Sequence, residues 1–250
     1  MKRGEETVKK GYGIFGKPYE IMLKNDLHAP ASVDHALMRD MVLLDEESFQ
    51  ALYQKPVRRN LENHELYAFA RQFKAASDRQ SIRNVLEYTS DIAMRYDVDF
   101  KDMLFGGTEK QILERGTDWC ADMARVGAVL LQCLGIPCRL LHLVNLNKAY
   151  HGHVVGEAYY EGGYGVVDFI YGYQFYDETP ISAYRIMRSP DALNTCPEIY
   201  RGLYSAIAVS EYDPMDANND YSISIPNEYY MKLIYTEHQD AWIMGEDRDF

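Results

Sequence analysis

Cysteine is scarce in this chain: four residues in 250, the first of them Cys120. No short paired spacing suggests a disulfide frame, and Cys133-x4-Cys138 is not a usual zinc-ligand spacing. Basic residues are outnumbered, with 26 Lys and Arg against 38 Asp and Glu and a net charge of −12. A surface of that sign repels phosphate backbones, so nucleic acid is not an expected partner. No run of eighteen apolar residues exists to cross a membrane, and no membrane partner is expected. The first ten residues, Met-Lys-Arg-Gly-Glu-Glu-Thr-Val-Lys-Lys, carry charge without the apolar stretch of a secretory signal. Together these absences point to a reducing cytoplasm, which suits a free thiol. Repeats and low-complexity segments are also missing.

What the chain does have is apolar material: 47% hydrophobic and 13% aromatic, enough for a sizeable core. Its length fits one domain, or a core with appendages. The stretch from Trp119 to Arg139 organises the rest. Residues 121–134 are apolar or small nearly all round a helix, with Asp122, Arg125 and Gln132 as exceptions, the pattern of an enclosed helix. Thr117 or Asp118 is the expected cap, and Gly135 followed by Ile136-Pro137 ends the helix. Cys120 then sits in the first turn, where free N–H groups and the helix dipole favour an anion. A thiolate is the reactive form of cysteine. Asp118 opposes this by like charge unless its main task is capping.

Two strands follow. His153-Val-Val-Gly-Glu157-Ala-Tyr-Tyr and Tyr164-Gly-Val-Val-Asp168-Phe-Ile-Tyr171 flank Glu161-Gly162-Gly163 and predict a hairpin. Two registers are open. A centre between Tyr160 and Glu161 sets His153 directly opposite Asp168; a turn made of Gly162-Gly163 makes Gly172 the partner of His153. The first is adopted, with the glycines as a bulge or longer loop, because it gives a Cys-His-Asp relay. In such a relay the acid orients the imidazole and the imidazole takes the thiol proton.

Taken in order, these residues resemble the transglutaminase-like superfamily of papain-like cysteine enzymes. The likeness rests on Cys120 on a core helix, Gly135-Ile136-Pro137-Cys138-Arg139 at its end, His153 with Glu157 four residues on, and Asp168 after a short hairpin. It covers about residues 80–172. Cys138 stands where the family pattern has Ala, Val154-Val155 where it has Ala-Trp, and the Tyr164-Gly165-Val166 region where it has Trp. The resemblance implies an α+β fold with the Cys helix packed on an antiparallel sheet, and a thioester mechanism on an amide or peptide. Cys120 would be nucleophile, His153 base then acid, and Asp168 the orienting acid. Trp119, His151 and Glu157 are the expected substrate contacts. Peptide, protein or small-amide substrates follow, with water or an amine as acceptor. A non-catalytic peptide-binding scaffold on the same fold is the alternative. No cofactor and no metal is expected.

The domain expectation is an N-terminal helical segment at 1–75, a catalytic core at 76–180, and an extension at 181–250 packed on that core. Helices are read at 33–53, 60–74 and 81–96, the last capped by Ser77 or Asp78, with a short one at 109–115. Residues 139–147 read as a buried strand, 198–210 as a helix, and 229–235 as a strand or short helix. Gly11-x-Gly13-x-x-Gly16 lacks a βαβ context and reads as a loop. His142 and His151 are rival bases, but only His153 has Glu157 at the family offset. His151, His153 and Glu157 share a strand face without forming a familiar metal set. Residues 216–220 alternate oxygen ligands like the start of a calcium loop, yet Tyr221 and Asn227 stand where an EF-hand needs Gly and Glu. Fifteen of the 21 tyrosines lie from Tyr150 onward, as suits half-exposed strands or substrate contact.

Overall fold

The structure, a computed structural model, describes Tyr53 and residues 56–214, apart from 100–101, 105, 145–151, 195, 205, 211 and 213. The glycine motif at 11–16, the helix expected at 33–53 (Tyr53 excepted), His151, and the readings at 216–220 and 229–235 lie outside the described residues.

Among the described residues, four helices precede the sheet. α1 (Tyr67–Ala70) runs into a 3-10 turn, Arg71–Phe73, so the helix expected over 60–74 is shorter than its apolar spacing suggests. α2 (Asp78–Arg95) begins three residues before the span read as 81–96, with Ser77, one of the two expected caps, accepting from the Gln80 N–H. Its buried residues Ile82, Val85, Leu86, Thr89 and Ala93 recur at helical spacing and face the core. α3 (Glu109–Arg115) starts with a capping box: Thr108 and Gln111 each satisfy the other's backbone N–H. α4 (Cys120–Cys133) is the enclosed helix, buried from Asp122 to its end.

After α4 the chain turns through Gly135, at φ 79° in the left-handed region, and returns as β1 (Cys138–Val144). A 14-residue helix is about 21 Å long, and seven residues of strand span about 23 Å. β1 therefore ends level with the start of α4, and β2 (Gly152–Tyr160) begins there, paired antiparallel to it. β3 (Gly163–Asp168) and β4 (Tyr173–Gln174) follow. β7 (Ala206–Ser210) returns to the other edge of β1, giving, among the described residues, a five-stranded sheet in the order β4-β3-β2-β1-β7, antiparallel throughout. The fold is thus α+β, with mixed helix and an antiparallel sheet. A second small pair, β5 (Tyr176–Asp177) and β6 (Thr179–Pro180), leads into α5 (Ala183–Arg188).

The helix expected over 198–210 is a 3-10 turn, Glu198–Tyr200, followed by β7. The reason is visible in the alternation of 206–209: Ile207 and Val209 are both buried, a period of two, and the free edge of β1 supplies the hydrogen bonds.

The hairpin register also differs from both that the sequence leaves open. Tyr160 pairs with Gly163, so Glu161-Gly162 is a two-residue turn. Both residues have positive φ, 50° and 83°, as a primed turn demands, and Gly162 adopts this at no steric cost. The register moves Asp168 two positions from the expected pairing. Extending the ladder puts Val155, not His153, across from it, which makes His153 and Asp168 a diagonal pair on one face.

The sheet separates two apolar clusters. Leu140, Val154, Ala158, Val167 and Phe169 pack with α4 and α2, together with Leu66, Ala70 and Phe73. Leu141, Leu143, Val155 and Val166 pack on the other side against Phe175, Ile181, Ile186, Tyr200, Leu203, Ile207 and Val209. On the first side the helix and sheet come very close. A Cβ on Gly127 of α4 would stand 2.1 Å from the Phe169 ring, and one on Gly156 of β2 would stand 2.6 Å from it. Phe169 fills a slot that only two glycines leave open.

Candidate active site

Cys120 is the first residue of α4, and its side chain is part-buried. Neither expected cap holds this helix. Trp119 is the capping residue by position and makes no side-chain cap bond, while Thr117 Oγ1 accepts from the Trp119 N–H. Asp118 is exposed, so its acidity is not spent on the helix start. The first-turn N–H groups of α4 thus keep their usual freedom from intrahelical partners.

The polar exceptions on α4 fasten the approach to Cys120. Asp122 accepts from the Gly106 N–H at 2.8 Å and from Arg115 Nη2 at 2.7 Å. Arg125 donates to the Gly107 carbonyl at 2.6 Å and to the Tyr212 hydroxyl at 2.6 Å, and Tyr212 in turn bonds Glu109. Gln132 ties the far end of the helix to the Cys138 and Tyr212 carbonyls, at 2.8 and 2.9 Å. Loop 106–108 and α3 are therefore locked against α4 by buried, charge-assisted bonds.

At the start of β2 the His153 ring lies between two acids. Its Nε2 is 2.7 Å from Asp168 Oδ2, and its ring is also hydrogen-bonded to the Cys120 side chain. Burial opposes a charged imidazole here. The bonds to Asp168 and Cys120, with their negative charge, outweigh it and raise His153 from the ordinary 6.5 to about 10. Burial would push the Asp168 carboxyl up, but the partnership with His153 wins and holds it below the usual carboxylate value. Asp168 accepts three more bonds: from the Ile170 and Tyr171 N–H groups on Oδ1, at 2.9 and 3.0 Å, and from the Tyr200 hydroxyl on Oδ2, at 2.9 Å. The Tyr171 ring leans on the imidazole at 5.6 Å and is 51% exposed.

The structure thus brings Cys120, His153 and Asp168 together, with Trp119 the residue before Cys120 at the helix start. Glu157, expected at the substrate, is placed elsewhere: it is fully buried in the sheet. Its Oε2 accepts from Arg139 Nε and Nη2 at 3.0 and 2.8 Å; its Oε1 accepts from the Tyr53 hydroxyl and the Ala183 N–H, both at 2.9 Å. The Arg139 guanidinium is sandwiched between the Tyr53 and Tyr164 rings, at 4.6 and 3.8 Å. The Arg139–Glu157 pair is a core element, not a substrate contact. His142, the rival base, points to the opposite face of β1 from Leu143, the residue paired with His153. Its ring nitrogens are buried, and loss of water lowers it to about 4.

Residues 67–169 match the model of the transglutaminase-like superfamily. This segment is similar to the core of that superfamily. No curated protein and no solved structure matches the chain. The transglutaminase-like core contains Cys120, His153 and Asp168, but Tyr200 and Tyr171 come from beyond its end. Nothing local in the sequence marked them; the enrichment in tyrosine after residue 150 was visible, but not which ring would reach the acid. Among the described residues no group of His, Cys, Asp and Glu is arranged to hold a metal ion. No described helix is long and apolar enough to cross a membrane.

Proposed function

We propose that this protein is a cysteine enzyme that opens an amide or peptide bond through a thioester on Cys120. The observation that supports this reading is the single imidazole that bonds a carboxylate on one side and a helix-start thiol on the other. With Nε2 held by Asp168, Nδ1 is the nitrogen left for the sulfur. The raised value of His153 keeps its ring protonated at neutral pH.

The thiolate attacks the carbonyl carbon, forming the C–S bond and moving the π pair to oxygen. The Cys120 backbone N–H, unpaired within the helix, serves the oxyanion. The imidazolium gives its proton to the departing nitrogen as the C–N bond breaks, leaving a thioester and a neutral imidazole. Water or an amine then attacks; the imidazole takes its proton, the C–S bond breaks, and the thiolate returns. Asp168 holds the tautomer and orientation throughout. Tyr171, half-exposed against the imidazole, is the side chain placed to meet a substrate there.

Iodoacetamide at neutral pH tests the nucleophile. Cys120 labels fast and alone, and His153→Ala abolishes the preference. Cys133, pushed up to about 12 by burial and by the charge of Glu109, stays inert. Equal, slow labelling of all four cysteines would sink the reading in favour of a scaffold. Intact-mass spectrometry after incubation with peptides and amines, on wild type and Cys120→Ala, then identifies acyl donor and acceptor.

A further inference from the structure

We propose that Tyr200 is a positioning residue of this site: its hydroxyl sets how much of the Asp168 charge reaches His153, and its ring steadies Tyr171 against the imidazole. Tyr200 acts through His153, so its role rests on His153 serving Cys120.

The geometry at Asp168 carries the inference. An ionised carboxylate only accepts, so the Tyr200 hydroxyl is the donor in its 2.9 Å contact. It donates to Oδ2, the same oxygen that lies 2.7 Å from His153 Nε2. The other oxygen is held by two backbone N–H groups, so the carboxylate is pinned by four donors and cannot turn away. Two donors on one oxygen divide its charge, and a stronger bond to one weakens the bond to the other.

The ring is held as firmly as the hydroxyl. Tyr200 is fully buried, 4.9 Å from Phe175 and 5.7 Å from Tyr173 between ring centres. It meets Tyr171 edge-on at 6.3 Å, and Tyr171 in turn contacts the imidazole. One residue therefore touches both partners of His153 other than the thiol. It does so from a 3-10 turn, Glu198–Tyr200, that lies outside the transglutaminase-like core. The chain after the core completes the site instead of merely covering it.

Among the described residues, the titratable groups facing the His153–Asp168 pair are Cys120 from α4, Tyr171 from the turn after β3, and Tyr200 and Tyr204 from the later segment. Burial and the Asp168 charge hold the Tyr200 phenol far above its ordinary value, so it remains a donor wherever His153 titrates.

The test is the titration of His153 followed by NMR in the full chain with labelled histidine. Tyr200→Phe keeps the ring and removes the donor, and the imidazole midpoint should move up by about half to one unit. Replacing Tyr200 by 3-fluorotyrosine strengthens the donor at nearly constant shape, and the midpoint should move down. An unchanged midpoint, or movement in the same direction for both variants, with circular dichroism unaltered, overturns the assignment. If Tyr200→Phe does not fold, the fluorotyrosine shift decides alone. Iodoacetamide labelling of Cys120 separates the two readings. Should His153→Ala label as fast as wild type while the fluorotyrosine shift persists, the enzyme reading fails and the Tyr200–Asp168 coupling stands.

Discussion

At the scale of single residues, the charge on His153 has a consequence that pH can read. Its folded value, about 10, lies above the ordinary 6.5, so between these the folded chain holds a proton that the unfolded chain has released. That contribution to stability is complete below 6.5, declines as pH rises through the window, and is gone above about 10. Asp168 works in the opposite sense: its lowered value stabilises above the ordinary 3.8, and this is lost as pH falls through its folded value. Urea midpoints for His153→Gln, measured from pH 6 to 10, should lack the decline that wild type shows. A parallel slope in both proteins would mean that the imidazole is not charged in the fold. Glu157 makes a contrasting prediction. Glu157→Gln leaves the Arg139 guanidinium buried without a counter-charge, which costs about 3–5 kcal/mol. Cys120 labelling in the folded variant should be unchanged. Loss of labelling with unaltered stability would instead return Glu157 to the site.

At the scale of elements, the decisive contact is between α4 and the sheet. The helix brings Cys120 level with His153 because β1 returns over nearly the same length, and it lies close because Gly127 and Gly156 make room for Phe169. Gly127→Ala adds a methyl where 2.1 Å is available, against an aromatic ring held in the core. Helix propensity favours alanine by up to about 1 kcal/mol. Overpacking costs about 1–3 kcal/mol and should win. A lower denaturant midpoint with slope unchanged checks this, whereas a stabilised variant would show that the slot is looser than the geometry states. The hairpin teaches a related lesson. A register off by two keeps every side chain on its face, so His153 and Asp168 still meet, diagonally. A shift by one would have parted them.

For the whole molecule, the transglutaminase-like core is not the unit that buries its own surface. The second face of the sheet is covered by Phe175, Ile181, Ile186, Tyr200 and Leu203 and extended by Ile207 and Val209 of β7, all beyond residue 169. Each such side chain contributes about 1.5–3 kcal/mol when fully buried. Net stabilities are only about 5–15 kcal/mol. A chain ending at residue 169 should therefore fail to fold cooperatively. Its thermal melt should be broad, and it should bind a hydrophobic dye. A sharp melt near the full-length temperature would show that the core is self-sufficient.

By itself the sequence determined the local pieces. The capping serine of α2, the Thr108-Gln111 box, the enclosed pattern of α4 with Gly135 at its end, and the alternation of β2 and β3 are all written in neighbouring residues, because caps, turns and periodicity act over a few positions. That His153 and Asp168 share one face of the hairpin was legible for the same reason, through the period of two. Only tertiary structure decided the rest. Nothing near Glu157 in sequence says that Arg139, Tyr53 and Ala183 would occupy its oxygens and draw it into the core. Nothing near Tyr200 says that its hydroxyl would reach a carboxylate 32 residues earlier. The alternation at 206–209 became a strand because β1 had an open edge to pair with. Those outcomes depend on which groups the folded chain brings within hydrogen-bonding distance, and that is a property of the packed whole.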